Sequence, residues 1–168
     1  MATSTTTTTT TASGTSTTTT ELVYCTDQDL VDVRSNILNF GVNSWKDQRD
    51  EAMAIIDRAL EVGWYRREAE HLGVDWRSHT MDRTLFLNAD AQLKRLACYK
   101  ALELAFRYLM KESPEPDSFE RMKDLYKGEY NEELRAVLSA GLDYDWDGSG
   151  ALAASEKARP ARRRLKRC

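Results

Sequence analysis

Residues 89–112 read ADAQLKRLACYKALELAFRYLMKE, and the fold turns on this stretch. Leu93, Leu96, Cys98, Leu102, Ala105, Phe106 and Leu109 recur at helical intervals and spread apolar side chains over much of a helix circumference. A helix with one apolar stripe lies on a surface, whereas one that is apolar on most sides is enclosed by neighbours. The spacing therefore predicts a central helix with Asn88 at its N-terminus. Pro114 and Pro116 end it, because proline disfavours helical backbone at the residue before it.

The neighbours that would enclose it lie on both sides. Downstream, FERMKDLYKGEYNEELRAVLSAGL (119–142) carries Phe119, Met122, Tyr126, Tyr130, Leu134, Val137 and Leu138 at the same spacing. Asp117 or Ser118 suits its start and Gly141 its stop. Upstream, WKDQRDEAMAIIDRALEVGWYRREAEHLG (45–73) has a stripe of Met53, Ile56, Leu60 and Trp64, flanked by Ile55, Ala59 and Val62. That stripe is wide enough for two neighbours. Asn43 or Ser44 is its expected cap and Gly73 its stop. Gly63, inside the pattern, either weakens the helix or permits a close approach. A first helix is predicted at YCTDQDL (24–30), where Thr26 and Asp29 form a capping-box pair. Leu30, Val33, Ile37 and Phe40 continue it, and Gly41 stops it. Residues 74–88, VDWRSHTMDRTLFLN, show no sustained period and read as a loop with a short helical turn.

The fold class expected is all-α: a bundle of about four helices over residues 22–142, framed by two non-globular ends. A content of 41% hydrophobic and 30% charged residues, with 3 Pro and 8 Gly, agrees with a helical domain rather than a sandwich or barrel. Residues 1–21 form a Thr-rich leader. Thirteen of the first twenty residues are Thr, too little apolar surface to offset the entropy of ordering. Disorder is expected there in a free monomer, although threonine also favours extended backbone and suits a strand against a partner. No apolar run approaches the roughly 18 residues of a membrane span. The first residues lack a basic segment followed by an apolar one, so no secretory signal is expected. Cys25, Cys98 and Cys168 are far apart and odd in number. They form neither a metal-ligand spacing nor a disulfide framework and read as free thiols.

Residues 143–168 comprise an Asp/Gly hinge loop and a basic arm. In GLDYDWDGSGALAASE (141–156), Asp143, Asp145, Asp147 and Gly148 occupy positions 1, 3, 5 and 6 of a calcium loop. Position 12, where a bidentate Glu belongs, is Ala154, and Glu156 comes two residues late. The stretch is either a deficient, weak metal site or a tight turn whose Asp side chains accept from nearby backbone N–H groups. Trp146, between two acids, is either an exposed interface anchor or folded back onto the helices. Beyond it, KARPARRRLKRC (157–168) holds seven of the 24 basic residues and none of the 27 acidic ones. The net charge of −3 therefore divides into about −10 on residues 1–156 and a cationic arm. Such segregation describes partners rather than fold.

Little points to catalysis. His71 and His79 stand near acids but in no zinc pattern. No nucleophile motif or Gly-rich phosphate loop is present. Adjacent carboxylates such as Asp50–Glu51 and Glu132–Glu133 read as solvated helix faces. No catalytic residue, no cofactor and no enzyme activity are expected.

A family resemblance runs through YCTDQDL (24–30), AIIDRAL (54–60), LKRLACYKALELAFRYLM (93–110), MKDLYKGEYNEELRAVL (122–138) and YDWDGSG (144–150), followed by the Arg-containing end. In element order and in its Tyr-x-Thr-x-x-Asp-Leu opening, residues 22–167 resemble the head–tail connector (portal adaptor, head completion) proteins of tailed bacteriophages. The resemblance implies a helical bundle that assembles as a ring, usually of twelve copies, docked on the portal protein. It implies contact with a tail or tail-terminator/nozzle protein, DNA passing through the lumen without sequence recognition, and no membrane. It places the protein in the virion neck after assembly in the host bacterial cytoplasm. On that reading Trp146, Arg159, Arg162, Arg163, Arg164, Lys166 and Arg167 belong to a portal-docking arm. The Thr-rich leader departs from the family's compact start. Two alternatives stay open: a nucleic-acid-binding module that uses the basic tail, and a weak calcium-binding protein.

Overall fold

The computed structural model describes residues 5–9, 17–112 and 117–152. Four helical rods make up the body. Helix α1 is Asp27–Val33. The second rod runs through α2, Lys46–Leu60, a π-helical turn at Glu61–Tyr65, and α3, Arg66–Leu72. The third rod is α4, Ala89–Glu112, and the fourth is α5, Asp117–Ala140. The all-α bundle expected from periodicity is the architecture found.

Helix α4 is the centre. It touches α1, α2 and α5, and Leu93, Leu96, Ala101, Leu102, Ala105 and Phe106 are completely buried along it. From α2 and the π-turn come Ile56, Leu60 and Trp64, and from α5 come Tyr126, Tyr130 and Val137. Phe106 and Tyr126 stack with centroids 5.7 Å apart and planes nearly parallel, at 4°.

The capping box forms as the sequence predicts: Thr26 Oγ accepts from Asp29 N–H, and Thr26 N–H donates to Asp29 Oδ2 at 2.7 Å. Ser44 Oγ accepts from Lys46 N–H at 3.2 Å, which satisfies a free amide at the start of α2. Asp27, in the first turn of α1, binds the same region. Its carboxylate accepts from Ser44 Oγ–H at 2.7 Å and from Trp45 N–H at 3.1 Å, and pairs with Arg49 at 3.0 Å. Gly73 ends α3 in left-handed backbone at φ 75°, as expected of a stop glycine.

One reading is corrected. The first helix does not run to Gly41. It stops at Val33, and a separate 3-10 turn occupies Ile37–Phe40. The buried Trp45 indole N–H donates to Ile37 C=O at 3.1 Å, and Ile37 N–H reaches Arg34 C=O at 3.0 Å, so the local bonds follow a tighter turn. Gly63 does not interrupt the second rod. It lies in the π-turn, where a β-carbon would stand 3.7 Å from Leu138 Cδ1. In the leader, Thr5–Thr9 pairs antiparallel with Thr17–Glu21, in register from Thr5 opposite Glu21 to Thr9 opposite Thr17. β-branched threonine favours the extended backbone that such a ladder needs.

The loop after α3 keeps its expected character. It holds one 3-10 turn, Arg83–Leu85, and is tied inward by a four-residue cluster. Tyr24 OH donates to Asp57 Oδ1 at 2.6 Å, Arg83 reaches Asp57 Oδ2 at 2.7 Å, and Arg83 Nη1 lies 3.3 Å from Met53 Sδ. Burial and the neighbouring Asp57 carboxylate push the Tyr24 phenol far above its ordinary range.

Candidate functional site

After α5 the chain turns at Gly141, φ 85°, whose N–H closes on Val137 C=O at 3.0 Å. It then runs back along the loop that precedes α4. Phe86 and Tyr144 form an antiparallel bridge, with Leu87 N–H to Asp143 C=O at 3.0 Å and Asp145 N–H to Leu85 C=O at 2.9 Å. Side chains reinforce it. Gln92 Oε1 accepts from Asp143 N–H at 3.0 Å, Asn88 Nδ2 donates to Asp143 Oδ2 at 2.7 Å, and Asp82 N–H donates to Tyr144 OH at 3.0 Å. Asn88 thus has two tasks. Its C=O accepts from Gln92 N–H at the start of α4, and its amide fastens the aspartate loop.

Five aromatic rings collect under this bridge: Trp64, Tyr65, Phe86, Tyr144 and Trp146. Trp146 stacks on Tyr65, centroids 5.0 Å apart and planes at 15°, and meets Tyr144 edge-on at 4.8 Å. Tyr144 is edge-on to Phe86 at 5.1 Å and to Trp64 at 5.8 Å. Edge-to-face and offset contacts of this kind add to the area buried. Burial pushes the Tyr144 phenol up to about 12. The Trp64 indole N–H is buried with no partner among the described residues.

Of the two readings of Trp146, folding back is the one found. The ring is half-buried against the body's own aromatics. The three aspartates also separate. Asp145 is buried at 3% exposure, and its oxygens accept from Ser149 N–H at 3.0 Å and Gly150 N–H at 2.6 Å. Asp147 Oδ1 accepts from the same Ser149 N–H at 2.9 Å, and its bonds to Ser149 hold its carboxyl below the usual range. Asp143 points to Asn88. Of the two readings of this stretch, the hydrogen bonds of Asp145 and Asp147 are those of a tight Asp/Gly turn. The carboxylates are drawn to backbone amides and to Asn88 rather than to a common centre. Among the described residues no group of three or more His, Cys, Asp or Glu side chains is placed to hold a metal ion.

Gly148 and Gly150 take left-handed backbone, φ 72° and 77°, which brings the two amides onto Asp145. The loop is thus a fastened turn through residue 150, and the body extends past the expected boundary at 142. Arg159, Arg162, Arg163, Arg164, Lys166 and Arg167 lie outside the described residues.

The other candidates are dispersed. His71 is exposed in the last turn of α3, while His79 Nδ1 is 3.0 Å from Ser78 Oγ in the following loop. Trp45 is buried at the start of α2. Trp76 lies between the guanidinium groups of Arg66 and Arg77, at 4.9 and 4.5 Å, and donates to Glu70 at 3.1 Å. Asp50 pairs with Lys46 one turn away, and Glu133 with Arg95 on α4. Sequence reasoning did not find the contributions of Tyr65, Phe86, Asn88 and Gln92. A polar loop before a helix carries no local sign of a partner some fifty residues on.

Comparison of the chain with family models, with curated proteins and with solved structures gives no match. Among the described residues no helix is long and apolar enough to cross a membrane.

Proposed function

We propose that this chain is a structural assembly protein of the tailed-bacteriophage neck. In this reading copies assemble as a ring, of twelve as the family resemblance implies, that docks on the portal protein and joins it to the tail. DNA passes through the lumen without being read. One observation carries the reading: the turn of residues 143–150, which precedes the strongly basic sequence of residues 157–168, is built into an acidic helical body. The turn is fixed by the Phe86–Tyr144 bridge, by the Tyr65–Trp146 stack and by Asp145. A charged arm with a fixed point of departure limits the space it searches and so lowers the cost of ordering on a partner.

The charge division supports the same reading. An acidic body facing a lumen repels DNA phosphates and lets the duplex slide. The arm's Arg162, Arg163 and Arg164 supply forked donors for carboxylates on a partner ring. Trp146 serves the arm from within, by holding its root, rather than as the partner's anchor.

The test is assembly. The mass of the full chain is measured alone and after mixing with portal rings, beside a chain lacking residues 157–168. The expected result is a ring, or a monomer that becomes one on the portal, and loss of attachment in the truncated chain with the body still folded. Unimpaired attachment of the truncated chain overturns the docking role. The arm also suits a nucleic-acid-binding module, in which the same seven basic residues hold phosphates. That alternative requires affinity for naked duplex that falls steeply with salt, whereas a connector shows little.

A further inference from the structure

A cleft of about 280 Å³ opens between α1 and α4. Val33, Ala91 and Cys98 give it an apolar part, and Val33 is left 41% exposed. Three carboxylates, Asp29, Asp32 and Asp90, share the lining with Lys94 and Arg95. Both cations already meet acids of the body. Lys94 pairs with Asp29 at 3.3 Å, and Arg95 pairs with Glu133 of α5 at 3.6 Å. Asp32 accepts from Gln28 Nε2 at 2.9 Å, an uncharged donor. With Glu133 included, four carboxylates stand here against two cations. The cleft is an apolar notch with an acidic edge.

Such a notch fits a side chain with an apolar stem and a cationic head. Arginine lays a short hydrocarbon stem along apolar surface and presents a planar fork to a carboxylate. Residues 157–168 hold five arginines and two lysines, and Leu165 stands between Arg164 and Lys166. An apolar residue flanked by cations is the complement of an apolar surface flanked by acids. The charge division of the whole chain, about −10 against seven basic residues, draws the two parts together.

The cleft is also within reach. Asn88 and Gln92 hold the turn of residues 143–150 on one side of α4, and Asp90, midway between them in sequence, falls on the other side. The described residues end at 152. The twelve residues from there to Arg164 span at most about 40 Å when extended. That is several times the roughly 10–12 Å thickness of a helix.

We propose that residues 157–168 dock in the α1–α4 cleft of their own chain, with Leu165 against Val33 and Ala91 and the arginines of 162–164 on Asp32 and Asp90. Tethering selects the cleft of the same chain over that of a second copy. A short linker holds its end at an effective concentration near the millimolar range, far above the concentration of other copies in dilute solution. The cleft thereby becomes a resting place for the basic segment, and any partner that takes the segment competes with it. One copy suffices, so the docking stands apart from the assembly reading.

The test is tryptic cleavage of the folded full chain after Arg162, Arg163 and Arg164, followed by mass spectrometry. Docked arginines are shielded from the protease. In low salt Asp32→Asn/Asp90→Asn should be cut there about five-fold faster than the parent, the size expected of two partly exposed ion pairs. Glu120→Gln/Asp124→Asn, an equal change of charge near the start of α5, should be cut at the parent's rate. About 0.5 M salt should bring the parent up to the rate of the Asp32→Asn/Asp90→Asn chain. Equal rates for the parent and Asp32→Asn/Asp90→Asn overturn the proposal, as does equal acceleration in both variants, which would report net charge alone. Protection that grows with protein concentration overturns it in favour of a second copy. A carbodiimide, which joins a lysine amine to a carboxylate in contact with loss of water, gives a reading on the unaltered chain. It should link Lys166 to Asp32 or Asp90 within the monomer, and a monomer without that link overturns the docking whether or not the variants fold.

Discussion

Tyr65 and Trp146 lie face to face, centroids 5.0 Å apart and planes inclined by only 15°. Tyr65 comes from the π-turn of the second rod, and Trp146 from the turn that follows the last helix. Their stack fastens the turn that follows the last helix to the second rod. It also explains why a turn rich in Asp and Gly stays folded down: Trp146 packs on Tyr65 while the Asp145 carboxylate beside it accepts from the amides of Ser149 and Gly150.

Replacement of Trp146 is the direct test of that arrangement. Trp146→Ala should lower the unfolding free energy by about 2 kcal/mol, below the range for a fully buried Trp because the ring is half-buried. Trp146→Phe should retain most of the loss. Urea titration measures both, and a value for Trp146→Ala within error of the parent would contradict the stack's role.

Asp145→Asn removes the buried charge that accepts from Ser149 and Gly150 and turns an amide N–H₂ toward one of those donors. A loss of about 1–3 kcal/mol is expected, the cost of leaving a buried donor unmatched. Faster amide exchange at Ser149 and Gly150 should accompany it.

Two glycine substitutions should move stability in opposite directions. Gly63→Ala meets nothing closer than Leu138 Cδ1 at 3.7 Å and sits at negative φ. It should stabilise by about 0.5–1 kcal/mol, largely by restricting the unfolded chain. Gly148→Ala also has open space, yet its φ of 72° is strained for a side chain. It should destabilise by about 1 kcal/mol. Melting of the two variants side by side checks the sign.

Stability should fall at acid pH through Asp29 in particular. Burial raises the Asp29 pKa, but hydrogen bonds from Thr26 and the contact with Lys94 outweigh it, and the folded carboxyl titrates below its ordinary value. A lowered folded pKa contributes stability above the unfolded value of about 4, and that contribution is lost as pH falls through the folded value. Denaturation midpoints recorded from neutral pH downward should therefore decline across this window. Asp29→Asn should start lower at neutral pH and decline less. Equal slopes for the two proteins would assign the acid sensitivity elsewhere.

The bundle was readable because its signals are local. The run from Leu93 to Leu109 is apolar on most sides, and only a central helix satisfies that. Thr26 with Asp29, and Gly73 and Gly141 after their helices, mark ends through bonds that span a few residues. What escaped is what depends on distant partners. The turn at Ile37–Phe40 is tied to the distant Trp45, whose indole N–H donates to Ile37 C=O, and no property of RSN announces the break after Val33. The aspartate loop offered calcium ligands in sequence, and Asn88, Gln92 and the amides of Ser149 and Gly150 claimed its oxygens and backbone. In the leader, threonine's preference for extended backbone suits the pairing of Thr5–Thr9 with Thr17–Glu21.

Asp27 has a consequence for how this protein opens. One carboxylate sits in the first turn of α1 and holds the Ser44 hydroxyl, the Trp45 amide and Arg49 at the head of the second rod. Fraying at α1 therefore uncaps α2, and the two helix starts should exchange their amide hydrogens as one cooperative unit. The N-terminal edge of the bundle, where a protein usually loosens first, is in this chain coupled through Asp27 to the head of the second rod.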